Sequence, residues 1–369
     1  MKVVIVNYIE LKKLPPVSNL IRVFDRNGIN TVVITQDQFD CHKQIESNRV
    51  SFVIIPSVGE GITLRSVVTY IKNRRRIREA VEKNMDQGDI LWTTTDKTVR
   101  ELGKVVLRYQ HVMQLMELIE DTPAIPKQKF LWCNMKKYAQ KAYRVVVPEY
   151  NRAHIQKAWW NLRVTPTVLP NKMAITTTEK PSDIVSDTLK IFENEKRKII
   201  LYQGIFSKDR DIESFAKAVE EMDDYCLYVM GNVTKDIEII CRKYINTKHI
   251  KYVEPPYHLL FTEKAYIGLL PYKAAKVSYL SILNAVYCAP NKIWDYAAFG
   301  VPMLGIDVPG LTVPFKEYGM GETCDETDVE SIRSSIRKID KNHAVMSKNS
   351  LDYFNSVDLD RIVCNIISQ

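Results

Sequence analysis

The sequence predicts an α/β protein made of two Rossmann-like domains, each a doubly wound parallel sheet, that face one another across a cleft. Short apolar runs alternate with amphipathic helical segments, which is the pattern of β-α-β units. The alternation stops in a polar, threonine-rich stretch at 173–196 and then restarts. A chain of 369 residues also suits two ordinary domains better than one.

The first domain is expected to span residues 1–180. It opens with a β-α-β unit, in which "KVVIV" is a buried strand, 15–28 is a helix and "INTVVIT" is the next strand, with Gly28 at the turn. Further strands are predicted at 51–57, 89–95, 105–110, 143–149 and 166–172. This order indicates a parallel sheet with helical crossovers.

The second domain is expected to span residues 181–369, and its last helix is expected to pack back on the first domain. Ligands of doubly wound sheets bind at the carboxyl ends of the strands, so the cleft between the domains is the expected site. The strands of this half are predicted at 199–204, 225–231, 250–255, 266–272 and 302–306.

The composition favours a protein that binds anions in a reducing compartment. The formal net charge is +8, and the seven cysteines are scattered and odd in number, which fits reduced thiols. No apolar run is long enough for a signal peptide or a membrane span, so we expect a cytoplasmic protein. Nucleic-acid-binding motifs are absent from the sequence, and nucleic acid is not expected as a partner.

A basic cluster, "KNRRRIR" at 72–78, has two interpretations. It is either a solvated helix face or a patch that holds the protein against acidic lipid headgroups. The second interpretation predicts a peripheral protein at the inner face of the membrane.

The segment "PNKIWDYAAFG" predicts a short helix with a lysine in its first turn. Asn291 is a candidate N-cap, apolar residues follow at helical spacing, and Gly300 supplies the end. A cation is disfavoured beside the partly positive start of a helix. An anion bound there is stabilised both by the free N–H groups of the helix and by the cation. Lys292 therefore indicates a negatively charged ligand.

Other residues of the second half are expected to converge on the same place. Two predicted strands end in glycines, Gly204 and Gly231, where the backbone can approach a ligand closely. Two cations and a helix start suit a diphosphate, and an acidic side chain one turn along suits ribose hydroxyls. The expected donor-site residues beyond these glycines are Lys208, Arg210, Asn291, Lys292 and Asp295.

These residues resemble the GT-B glycosyltransferases, and within them the retaining group known as family 4. The resemblance rests on the run from Pro290 to Pro302, "PNKIWDYAAFGVP", and covers most of 197–340. It implies that Arg210 and Lys292 contact the donor's diphosphate and that Asp295, in place of the family's glutamate, holds the ribose. The first acid of the family pattern falls at Tyr287, so Asn284 and Tyr287 are taken as its substitutes at the donor sugar.

The first domain is expected to bind the acceptor. Relatives carry a histidine or an acid at the end of a central strand, and "YQHVMQLMEL" offers His111 and Glu117. Each also has a structural reading, His111 as a satisfied, partly buried histidine and Glu117 as a surface acid. The candidate catalytic residues are thus Arg210, Lys292, His111 and Glu117.

The resemblance implies a hexosyltransferase-like enzyme that moves a sugar, with retention, from a nucleotide diphosphate donor to an acceptor hydroxyl. UDP or GDP is the expected nucleotide, and no cofactor or metal ion is expected. A saccharide or lipid-linked saccharide acceptor in surface or capsular polysaccharide assembly fits the basic patch. Two alternatives stay open, a nucleotide-sugar epimerase of the same fold and a non-catalytic nucleotide-sugar-binding protein.

Overall fold

The computed structural model describes residues 1–57, 64–125, 131–173 and 182–368, with no side chains described for 64–67. The chain forms two compact units. The first comprises Met1–Asn171, Tyr279–Ser281 and Asp358–Gln369, and the second comprises Lys172–Ser278 and Ile282–Val357. The boundary expected between residues 180 and 181 lies outside the described residues.

The described part of the first unit contains a parallel sheet and a separate antiparallel pair. Its strands are β1 (Val3–Glu10), β2 (Thr31–Gln36), β3 (Val50–Ile54), β4 (Ile90–Thr93), β5 (Gln110–Gln114), β6 (Thr122–Pro123), β7 (Trp132–Cys133), β8 (Arg144–Val147) and β9 (Thr167–Val168). The parallel strands lie in the order β3-β2-β1-β4-β5-β8-β9, and β6 pairs with β7.

Helices connect these strands as the β-α-β pattern requires. They are α1 (Pro15–Arg26), α2 (Leu64–Asn84), α3 (Asp96–Leu102), α4 (Lys136–Ala139) and α5 (Tyr150–Trp160). Strand β1 is central and pairs with both β2 and β4. Its first four residues are fully buried, because helices cover both faces of such a sheet.

The second unit has the strand order 3-2-1-4-5-6 that typifies dinucleotide-binding folds. Its described strands are β10 (Lys198–Gln203), β11 (Tyr225–Met230), β12 (Thr247–Ile250), β13 (Ile267–Leu270), β14 (Met303–Ile306) and β15 (Gly321–Cys324). They lie in the order β12-β11-β10-β13-β14-β15, and every pairing is parallel. Two parallel-sheet α/β units confirm the predicted fold class.

The helices of the second unit cover this sheet. They are α6 (Asp183–Glu193), α7 (Glu213–Glu220), α8 (Lys235–Lys243), α9 (His258–Lys264), α10 (Leu283–Val286), α11 (Lys292–Ala298), α12 (Pro309–Tyr318), α13 (Val329–Lys341) and α14 (His343–Ser356). The last helix, α15 (Leu359–Ser368), belongs to the first unit and contacts α1 there.

Two predicted strands are displaced in the structure. Residues 105–110 are not a strand, because Gly103–Arg108 forms a 3-10 helix and β5 begins only at Gln110. Gly103, at φ +59°, ends α3, and Val105 and Val106 pack into the core from the 3-10 turns. The strand predicted at 250–255 lies earlier, at Thr247–Ile250.

Candidate functional site

The candidate site lies at the carboxyl ends of β10 and β13, where the strand order of the second unit reverses. The backbone after β10 pairs there with the backbone after β13. The Asp211 N–H donates to the Pro271 carbonyl at 3.0 Å, and the Lys273 N–H donates to the Asp209 carbonyl at 3.1 Å. Such a reversal point is where doubly wound sheets bind ligands.

Gly204 and Gly231 end neighbouring strands and touch one another. The Gly204 N–H donates to the Met230 carbonyl at 3.0 Å, and a Cβ added at Gly231 would stand 2.3 Å from the Gly204 carbonyl oxygen. Gly204 itself has φ +148°, which an L side chain rarely adopts. Both glycines are therefore required for this close crossing of the two strand ends.

Arg210 is held in place by the ring of Tyr272 and by the carboxylate of Asp209. Its Cζ lies 3.7 Å from the ring centroid of Tyr272, a cation-π contact, and its guanidinium also pairs with Asp209. Burial raises the pKa of Tyr202, and the nearby guanidinium of Arg210 partly offsets that rise. Only a fifth of the Arg210 side chain is exposed, so the guanidinium is preorganised.

Gly204 lies beside both Tyr202 and Lys292. A methyl group placed at Gly204 would lie 3.3 Å from the Tyr202 hydroxyl and 3.8 Å from Cε of Lys292. The same hydroxyl donates to the Ile205 carbonyl at 2.6 Å and fixes the turn after β10. The structure thus brings Gly204, Arg210 and Lys292 around one strand end.

Lys292 forms an ion pair within α11. Its Nζ lies 3.2 Å from Oδ2 of Asp295, and Nε2 of His258 lies 3.5 Å from the same oxygen. Burial of Asp295 works to raise its pKa, but the charge of Lys292 and the contact with His258 hold that pKa below its usual range. Asp295 is therefore an ionised, buried carboxylate beside the strand end.

Asn291 does not act as the predicted N-cap. It has helical dihedral angles, φ −57° and ψ −30°, and its side chain makes no capping hydrogen bond. The helical turn instead begins one residue earlier, since the Ile293 N–H donates to the Pro290 carbonyl at 3.3 Å. A helical Asn291 cannot aim its side chain back at the free N–H groups, which is what capping requires.

The other expected donor-site residues lie in the turn before Arg210 and in and beside helix α10. Lys208 is exposed in the turn that precedes Arg210. Asn284 lies in α10, and Tyr287 ends that helix. Gly310, at the start of α12, packs on the backbone of Tyr287 and Cys288, since a Cβ there would stand 2.5 Å from the Cys288 nitrogen.

The structure does not place His111 where an acceptor could reach it. His111 is the second residue of β5 rather than a residue at its carboxyl end, and it is 1% exposed. Burial lowers the pKa of His111 to about 3, so the ring is neutral, and Nε2 lies 2.9 Å from the Thr93 hydroxyl. The placement favours the structural reading of this histidine. The displaced strand explains the difference.

Glu117 does follow the carboxyl end of its strand. It is exposed beyond Gln114, and its carboxylate lies 4.0 Å from Nη1 of the buried Arg152. Within the described residues, no group of three or more histidine, cysteine, aspartate or glutamate side chains is arranged to hold a metal ion.

Sequence reasoning missed the residues that orient the cations. Tyr202, Tyr272, Asp209 and His258 were not singled out, because none belongs to the "PNK" pattern and none is a cation or a strand-end glycine. A usable signal was present for Tyr272, which is the last residue of the predicted strand "YIGLLPY" and so was expected at the same edge of the sheet as Gly204.

Comparisons with known proteins gave structural relatives only. No protein-family model and no curated protein matches the sequence. HepE from Anabaena, solved with UDP-glucose, superposes with a TM-score of 0.70 at 10% identity, over 99% of this chain and 98% of that one. A glycosyltransferase from Rickettsia africae gives 0.67 at 10% identity, over 100% and 99%.

Sucrose-phosphate synthase from Thermosynechococcus elongatus is also similar, with a TM-score of 0.67, 14% identity and coverage of 99% and 97%. The fold is that of the GT-B glycosyltransferases. The match spans nearly the full length of each chain, so it includes both parallel-sheet units.

Proposed function

We propose that this protein is a glycosyltransferase that moves a sugar from a nucleotide diphosphate donor to an acceptor hydroxyl. The observation that carries the proposal is the grouping of Lys292 and Arg210 around Gly204 at the reversal point of the second sheet. Nucleotide ligands bind at such a point in doubly wound folds. The GT-B fold of the chain supports the reaction class.

The two cations address the main electrostatic problem of the reaction. Negative charge grows on the diphosphate as its bond to the sugar breaks, and preorganised donors aimed at that charge give the largest rate effect. Arg210 is fixed by Tyr272 and Lys292 by Asp295, so neither has to reorganise. With these groups in place, transfer would not require a metal ion.

The remaining residues are assigned to the rest of the donor. Gly204 and Gly231 allow the backbone to approach the nucleotide, and Lys208 and Asn291 border the phosphates. Asn284 and Tyr287 are assigned to the sugar hydroxyls, and Asp295 to the ribose. Lys292 and His258 both lie at Oδ2 of Asp295, so a ribose hydroxyl would share this carboxylate with them.

The acceptor is proposed to be a saccharide or lipid-linked saccharide used in surface polysaccharide assembly, with transfer by retention. Support comes from the basic helix α2, which could bring the enzyme to an anionic membrane surface. In the described residues no helix is both long enough and apolar enough to cross a bilayer. Glu117 is kept as the candidate acceptor-side acid.

Calorimetric titration with UDP, GDP and ADP tests the donor site. HepE binds UDP and UDP-glucose, so UDP is the first probe. We expect one of the three nucleoside diphosphates to bind. Nucleotide sugars that carry this diphosphate should be consumed in NMR time courses only when an oligosaccharide acceptor is added. Conversion of the donor alone would identify an epimerase. Binding without any turnover would identify a non-catalytic protein, and the absence of binding would refute the proposal.

A further inference from the structure

His258 is a titratable side chain that the proposed reaction leaves without a role. It is the first residue of α9, and only 13% of its side chain is exposed. Its Nε2 faces Oδ2 of the buried Asp295, while its Nδ1 is buried and has no hydrogen-bond partner among the described residues. A neutral imidazole in this position carries its proton on Nε2, because a carboxylate accepts and cannot donate.

A second contact fixes α9 to the strand that ends at the candidate site. The Thr262 hydroxyl, one turn after His258, donates to Oε1 of Gln203 at 3.0 Å. Gln203 is the last residue of β10 and is 2% exposed. The imidazole is therefore held in place relative to Gly204 by a buried polar contact on its own helix.

We propose that His258 is a positioning residue for Lys292, acting through Asp295, and this inference rests on the proposed function. Asp295 Oδ2 interacts with two groups, Nζ of Lys292 on its own helix α11 and Nε2 of His258 on α9. Sharing the carboxylate limits how closely Lys292 pairs with it. Part of the ammonium's hydrogen-bonding capacity then stays available for a diphosphate.

The physical reason is that a buried carboxylate must be satisfied by some partner. If His258 loses its N–H, Lys292 becomes the main donor to Asp295 and turns toward it. The diphosphate then loses an oriented cation, although the lysine is still present. A side chain that retains an N–H near the Nε2 position should preserve the arrangement.

Titration with UDP, and with GDP in parallel, tests this inference on the full chain. His258→Leu should weaken binding about 10-fold or more, the range for removing a partner of a charged hydrogen bond. His258→Gln, whose amide N–H reaches toward Asp295, should stay within about threefold of the wild type on the same reasoning. In turnover, the His258→Leu effect should appear in the donor KM more than in kcat.

The matched control is His343→Gln. His343 is a half-buried histidine of the second unit, and its Nε2 lies 2.9 Å from the Tyr266 carbonyl. Tyr266 precedes β13, so this contact lies at the amino ends of the strands, away from the candidate site at their carboxyl ends. This variant should bind UDP as the wild type does. Equal affinities for His258→Leu and the wild type, or equal losses in His258→Leu and His258→Gln, would overturn the inference.

A ligand-free measurement separates this inference from the proposed function. Long-range ¹H–¹⁵N spectra at pH 8 should show His258 with a proton on Nε2 and a bare Nδ1, and Asp295→Asn should shift those signals. A proton on Nδ1 with Nε2 bare would remove the contact on which the inference depends. If neither nucleotide binds to the wild type, the proposed function and the inference both fail. If UDP binds and His258→Leu is without effect, only the inference fails.

Discussion

Lys292 occupies a position that helix electrostatics disfavours, and its neighbours explain why it is tolerated. A cation at the first residue of a helix costs roughly 0.3–1 kcal/mol. The buried carboxylate of Asp295, one turn along, offsets this cost because it lies 3.2 Å from the ammonium. The pair is close to neutral, and a diphosphate would add the negative charge that Arg210 and Lys292 together can accommodate.

The cations are therefore expected to matter most in turnover. Lys292→Ala and Arg210→Ala should each lower kcat/KM about 10²-fold or more, the range for removing one donor to a developing oxyanion. Initial rates with the identified donor and acceptor measure this. Lys217→Ala, which removes an exposed cation from α7, is the control and should leave the rate unchanged. A variant at 210 or 292 with wild-type turnover would remove that residue from the proposed site.

The basic residues of helix α2 fall into two groups, those that bond to α3 and those that are exposed to solvent. Arg78 donates to the Glu101 carbonyl at 2.9 Å and Arg74 to the Arg100 carbonyl at 3.3 Å, so these two stabilise the carboxyl end of α3. Lys72, Arg75 and Arg76 remain exposed on the helix. The basic cluster is thus partly structural.

The exposed residues of α2 carry the membrane prediction. Val68 and Ile71 are exposed on the same helix, so basic and apolar side chains are available together. Arg75→Glu with Arg76→Glu should reduce sedimentation with anionic vesicles at least tenfold, taking about 1 kcal/mol per charge near the surface. Arg337→Glu with Lys338→Glu, an adjacent pair of exposed basic residues in α13, should have little effect. Equal losses in both double variants would mean that net charge alone drives binding.

A nearly buried glutamate, Glu195, stands just before β10 and fixes the start of this strand. Glu195 is 8% exposed and pairs with Arg197 at 3.0 Å and Lys248 at 2.6 Å. Hydrogen bonds from Arg197 hold the pKa of Glu195 well below its usual range, although burial opposes this and Lys248 assists. A lowered folded pKa stabilises the fold above the ordinary glutamate pKa of about 4.3, and this contribution is lost as the pH falls toward the folded pKa.

Glu195→Gln should accordingly lower the free energy of unfolding at pH 7 by about 1.5–3 kcal/mol, the range for hydrogen bonds to charged groups. The difference in free energy of unfolding between the variant and the wild type should shrink below about pH 4, where the glutamate of the unfolded chain is protonated. Urea unfolding at pH 7, 5 and 3.5 measures it. Asp187→Asn, from an exposed pair with Lys190, should change stability by less than about 0.5 kcal/mol. A gap that is constant with pH would contradict the ionised pairing.

The sequence predicted the central strands of both sheets well because these strands are almost completely buried. β10 and β11 are short, mostly apolar runs, and each is followed directly by a glycine, Gly204 or Gly231, that marks its end. Boundaries failed where tertiary packing overrode the apolar pattern, as at Val105 and Val106, which enter the core from a 3-10 helix. That error moved His111 from a strand end into a strand.

The candidate site was predicted where charged residues or glycines stand in positions that the fold alone does not require. Lys292 was identified for that reason, and Arg210 from its place after Gly204 and from the family resemblance. The structure brings both to Gly204. The aromatic and histidine side chains that orient them, Tyr272 and His258, come from the segment after β13 and from α9, which only the folded sheet brings next to β10. Asn291 failed as a cap because the helical turn starts before it.

At the scale of the whole molecule, the chain returns to its first unit at its end. Helix α15 contacts α1, where Arg26 and Asn27 donate to the carboxylate of Asp360. The helix buries four apolar side chains in that unit, namely Leu359, Val363, Ile366 and Ile367. The carboxyl-terminal residues are thus part of the first unit's core.

Ending the chain after Val357 should destabilise the first unit by several kcal/mol, since each buried aliphatic side chain contributes about 1.5–3 kcal/mol. Hydrogen exchange should become faster in α1, with α7 of the second unit as the internal control. Asp360→Ala removes only a half-exposed ion pair and should cost about 1 kcal/mol or less. Unchanged protection of α1 in the shortened chain would contradict this role of α15.

The central claim is that a diphosphate binds at the end of β10 against Lys292 and Arg210. Titration of UDP and GDP into the wild type, Lys292→Ala, Arg210→Ala and Lys217→Ala tests it most directly. The account predicts binding to the wild type and to Lys217→Ala, with affinity reduced about tenfold or more in the other two, as for a lost charged hydrogen bond. Equal affinity in all four proteins, or binding to none of them, would contradict it.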